Sequence, residues 1–91
     1  MEKVLQLLKM DLGISHTLRD TYFNALLLSS KAEIEKKGIV LDLNNIEDQM
    51  LLSDYATWIY RKRTDDIPLA RNLELRIKNR IVKARGDNYV G

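Results

Sequence analysis

Residues 54–80 read DYATWIYRKRTDDIPLARNLELRIKNR. An aromatic, apolar run ends in Arg61-Lys62-Arg63, a short acidic segment leads into Pro68, and a second periodic run follows. In that run Leu69, Leu73, Ile77, Ile81 and Ala84 recur at spacings of three and four, which places them on one face of an α-helix. Pro68 suits the first position of this helix, because its φ is already helical and its missing N–H would go unpaired there anyway. The pattern predicts a helix from Pro68 to about Arg85, stopped at Gly86. Two helices joined by a turn at Thr64–Ile67 set an all-α reading.

The rest of the chain agrees. Glu2–Met10 carries Val4, Leu5, Leu7 and Leu8 and is followed by Gly13, a stop. A second helix is predicted over about Leu18–Lys37, with Ser15 or Thr17 as N-cap, Asp20 at capping-box spacing from Thr17, and Gly38 just past the end. Ile39–Asn45 alternates apolar and polar residues, but a single strand has no partner, so an extended connector is predicted. Asn45 caps a third helix, Ile46 to about Arg63, whose first turn holds Glu47 and Asp48 where the helix dipole favours them. The expected architecture is a compact bundle of about four helices: a single helical domain over 1–85, and a flexible tail over 86–91.

Composition limits the chemistry. The chain has 91 residues and no cysteine, which excludes a disulfide framework and a thiolate metal site. No run approaches the ~18 apolar residues of a membrane span, and the start is too charged for a signal peptide. The expected setting is a reducing cytoplasm. His16 stands alone near a helix start, Asp65-Asp66 reads as a turn, and the four glycines form no phosphate loop. No enzyme, metal or cofactor is expected.

Charge and surplus apolar surface say more. Residues 1–60 hold six Lys/Arg against nine Asp/Glu, and residues 61–91 hold nine against four. Such a chain can steer an anionic partner to its basic end or match copies of itself, front to back. Leu75 and Val82 are seven apart and far from the core stripe of the last helix, with Arg71 and Lys78 beside them. A helix with two apolar sides needs two partners. The expected contact surface is therefore Arg71, Leu75, Lys78 and Val82, opposed by Asp20, Glu33 and Glu35 on the second helix. Arg61, Lys62, Arg63 and Arg85 belong to the basic half. Arg80 falls on the core stripe and should pair with a carboxylate, with Asp54 and Glu47 as candidates. Trp58 and Tyr55 read as core residues rather than a base-stacking platform.

The stretch MLLSDYATWIYRKRTDDIPLARNLELRIKNRI (50–81) resembles the C-terminal half of the small head–tail connector proteins of long-tailed bacteriophages. The residues that carry the likeness are Asp54, Tyr55, Ala56, Trp58, Tyr60, Arg61, Arg63, Pro68, Arg76, Asn79 and Arg80. Residues 4–39 are similar to that family's opening, a short helix, a loop and a longer helix. The resemblance covers nearly the whole chain. It implies a helical bundle that assembles as a homo-oligomeric ring on the portal protein and extends the channel for packaged DNA, with Arg61, Lys62, Arg63 and Arg85 as the candidates for a DNA-channel or portal contact. It also implies docking of the next neck or tail-completion component at the capsid–tail junction of the virion, after synthesis in the host cytoplasm.

Two other classes fit a small helical chain. A DNA-binding regulator is basic at one end, although TDDIP sets two carboxylates and a proline where a recognition helix would begin. A bacterial helical interaction module is the other.

Overall fold

A computed structural model of the chain describes the backbone of residues 1–89 and the side chains of residues 1–84. The described residues form four helices, α1 (Glu2–Leu12), α2 (Asp20–Lys36), α3 (Ile46–Lys62) and α4 (Arg71–Tyr89), with no strand among them. The fold is an all-α bundle. α3 is its central element: α1, α2 and α4 all pack on it. The fully buried Ala56 keeps the middle of α3 narrow. Around it lie Leu8 from α1, Phe23, Leu27 and Ile34 from α2, and Leu52 of α3 itself, all inaccessible to solvent.

The helix ends follow from local chemistry where the signal is strong. Gly13 takes φ 71°, its N–H donates to the Met10 carbonyl and the Ile14 N–H donates to that of Lys9, the double closure that a left-handed glycine permits. Asn45 accepts the Glu47 N–H on its side-chain oxygen at 2.8 Å, as an N-cap does. Between α2 and α3, Ile39 and Leu41 are buried while Val40 and Asp42 are exposed. The alternation is therefore real, and the segment is the extended connector the sequence predicts.

Three boundaries differ from expectation. α2 starts at Asp20 with Arg19 as N-cap and no side-chain cap, so the Ser15 or Thr17 cap does not form. The Asp20 carboxylate instead accepts from the buried Lys9 ammonium at 2.8 Å, and Leu18 lies outside the helix, almost fully exposed. α4 starts at Arg71 rather than at Pro68. A proline drives its predecessor, Ile67, out of the helical region, and the Ile67 carbonyl accepts from Trp58 Nε1 at 3.0 Å, so residues 66–70 lie as a strap over the end of α3. Finally, α4 runs through Gly86 to Tyr89. A glycine inside a helix costs only about 1 kcal/mol, and ends a helix only by turning left-handed. Residues 90–91 of the expected flexible tail lie outside the described residues.

Tyr55 is buried and donates to Glu33 at 3.1 Å, whereas Trp58 is half-buried at the rim of the core. Trp58 is thus a strap-holding residue as well as a core one. Burial, then the Glu33 charge and hydrogen bond, push the Tyr55 phenol up to about 12. A phenol ionises near pH ~10 when unfolded, so this raised value contributes stability that is intact below about pH 10 and is lost as pH climbs towards 12. Tyr55→Phe is expected to remove that component. In urea titrations at pH 8 and pH 11, the wild-type protein should lose more stability between the two than the variant does. Equal losses would show that Tyr55 does not titrate in this range.

Candidate interaction surface

α4 is the helix least enclosed by the bundle. Among its described side chains only Leu73 and Ile77 are buried, while Ile81 and Ala84, and Leu69 just before the helix, are partly covered. Each residue turns a helix by about 100°, so Leu75 and Val82 point almost directly away from that stripe. They are 47% and 68% exposed, and Arg71 and Lys78 on the same face are exposed as well. The four residues singled out on this helix therefore form one surface. Lys78 reaches Glu74 at 3.0 Å, a solvated pair one turn apart worth little to stability.

Beside this ridge, the start of α3 and the flank of α4 enclose a groove of about 360 Å³, lined by Ile46, Glu47, Met50, Arg76, Asn79 and Arg80. Ile46 is 62% and Met50 43% exposed. Both sit at the start of α3, where no other helix covers them. Ile46 and Met50, like Leu75 and Val82, are therefore large apolar side chains left open to solvent.

Two ion pairs fix α4 against α3. Arg76 donates to Asp54 at 2.7 Å, and Arg80 pairs with Asp48 through both guanidinium nitrogens. Arg80 Nη2 also approaches the Val40 carbonyl at 3.4 Å. The later α4 arginine thus meets the earlier α3 carboxylate, as antiparallel helices require. This corrects the expected partners: Asp54 is taken by Arg76, and Glu47 acts on Arg80 only through its charge. The clue was in the sequence. Asp48 shares the core face of α3 with Leu51, Leu52 and Tyr55, so an acid and a base lay on facing core stripes. Burial pushes the Asp48 carboxyl up, but the hydrogen bonds from Arg80 and the Asp42 amide and the charges of Arg80 and Lys83 outweigh it and hold it below the usual range.

The acidic residues expected to oppose this surface do not come together. Asp20 is engaged by Lys9, Glu33 by the Tyr55 hydroxyl and Glu35 by Lys31 at 2.9 Å. Glu33 and Glu35 also point to different sides of α2, being two residues apart.

The basic end is ordered by aromatic rings. Lys62 lies over the Trp58 ring at 4.3 Å, and Arg63 lies over Tyr22 at 5.3 Å. Arg19 spans Tyr22, Phe23 and Tyr60 at 4.9–5.8 Å and donates to the Tyr60 hydroxyl at 3.2 Å. Arg61 is exposed beside them, and the Arg85 side chain lies outside the described residues. Sequence reasoning missed Arg19, because its partners are 3, 4 and 41 residues away.

His16 is exposed, and no group of three His, Cys, Asp or Glu among the described residues could hold a metal. No helix among them is long and apolar enough to cross a membrane. Seven, nine and eight residues separate successive helices, whereas a helix-turn-helix reader uses a turn of about 3–4. In comparisons with protein families, characterised proteins and solved structures, no match to this chain is found.

Proposed function

We propose that the chain is a structural head–tail connector of a long-tailed bacteriophage, which assembles as a ring on the portal, prolongs the DNA channel and offers a surface to the next neck or tail component. The observation that carries this reading is the α4 ridge: Leu75 and Val82 are exposed directly opposite the stripe that holds the helix to the bundle. A helix with a core face and an apolar outer face is suited to joining subunits. Arg61, Lys62 and Arg63 then serve portal contact first and non-specific contact with passing DNA second. The resemblance of residues 4–39 and 50–81 to that family supplies the identity of the assembly.

The test is electron microscopy of the protein mixed with the portal protein of the same phage. A ring of added density on the portal is the expected result, and portals that stay bare at micromolar protein overturn the proposal. The double change Leu75→Asp with Val82→Asp should leave circular dichroism unaltered, because neither side chain touches the core, and should abolish the added ring.

A further inference from the structure

We propose that copies of this chain join by seating the α4 ridge of one, Leu75 and Val82, in the α3–α4 groove of the next, between Ile46 and Met50. This rests on the reading of the chain as a ring former and names the two surfaces that meet.

The ridge and the groove are matched in kind. Leu75 and Val82 stand about 10 Å apart along α4, and Ile46 and Met50 about 6 Å apart along α3. All four side chains are exposed and apolar. The groove has a volume of about 360 Å³, room for branched side chains from a neighbour. The charges of its two arginines are offset within the chain, Arg76 by Asp54 and Arg80 by Asp48.

Charge sets the direction. Exposed Glu47 stands at the groove, and Arg71 and Lys78 flank the ridge. A ridge entering a neighbour's groove brings those cations towards Glu47. Lys78 can exchange its solvated Glu74 for this partner at little cost. Two ridges brought face to face would instead oppose Arg71 and Lys78 to their own copies. The acids on α2 are poorer receivers, because Asp20, Glu33 and Glu35 are engaged within the chain and spread around their helix.

Ridge and groove occupy neighbouring sides of α4 with Asn79 between them, so a copy filling one groove still presents its own. Such a head-to-tail contact propagates and closes into a ring when the rotation permits.

The absence of cysteine allows a direct test. Val82→Cys and Met50→Cys are made as separate proteins, one carrying an affinity tag, and mixed under mild oxidation. Leu18→Cys, at an exposed position in the segment between α1 and α2, outside both surfaces, gives the background for random collision. The mixed Val82–Met50 disulfide is expected at several-fold above either like-with-like product and above that background. Dominance of the Val82–Val82 product, or a mixed product no higher than background, overturns the proposal. Sedimentation of the unaltered chain reads the ring separately. A mixed disulfide in a protein that never exceeds two copies sinks the ring while leaving the contact standing, and a closed ring with no mixed disulfide does the reverse.

Discussion

Phe23→Ala is expected to cost about 3–5 kcal/mol, the range for truncating a buried phenylalanine. The residue has no exposed surface and lies at the meeting of α2 with the end of α3. Its ring is 5.4 Å from that of Tyr22 and 5.6 Å from that of Tyr60, so its loss opens a cavity and also removes aromatic contacts. Arg19 would lose one of the three rings it spans. A domain of this length has a total stability on the order of 5–14 kcal/mol, so the variant stands near the edge of folding. Urea denaturation should show a lower midpoint with an unchanged slope. Leu28→Ala, on the same helix but 59% exposed, should shift stability by no more than about 0.5 kcal/mol. A Phe23→Ala loss below about 1 kcal/mol would mean that the α2–α3 contact is not part of the core.

The contrast between Phe23 and Leu28 shows which features could be read from the residues alone. ALLLSS offers three consecutive leucines, and periodicity alone cannot say which side of a helix finds a partner. Packing against α3 buries Leu26 and Leu27 and leaves Leu28 outside. Where the cause is local, most of the reading held, the stop at Gly86 being the exception. Gly13, Asn45 and Gly38 end or begin helices through their own backbone or side chain, and the face of α4 with Leu75 and Val82 follows from spacing alone. Where the deciding partner is distant, it failed. Pro68 is a good first residue for a helix, but Trp58 captures the preceding carbonyl and holds the strap extended. Thr17 is a good cap, but Lys9 claims Asp20 from eleven residues away. The groove at Ile46 and Met50 is also tertiary, since it exists only because α4 lies beside the start of α3.

Arg80→Met is expected to destabilise the protein by about 2–3 kcal/mol, less than the loss of a fully buried partner because Arg80 keeps some contact with solvent. The Asp48 side chain is only 5% exposed and that of Arg80 30%. The variant leaves the carboxylate in place with the Asp42 amide at 2.7 Å as its remaining close donor. Asp48→Asn combined with Arg80→Met should recover part of the loss, because no buried charge is then left alone. The pH dependence separates this account from a simple packing defect. In the wild-type protein the Asp48 carboxyl is held below its unfolded range, so its contribution is present above about pH 4 and is lost as pH falls further. Without Arg80, burial is opposed by fewer groups and the folded value rises, so this acid-side loss shrinks. A variant with the wild-type acid dependence would refute the role of the pair. The consequence reaches the surface, because Arg80 and Arg76 set the register of α4 on α3, and that register aims Leu75 and Val82 outward. Amide exchange should therefore quicken along α4 in the variant while the protected amides of α1, α2 and α3 slow exchange as before. Uniform acceleration through all four helices would show instead that the pair holds the whole bundle together.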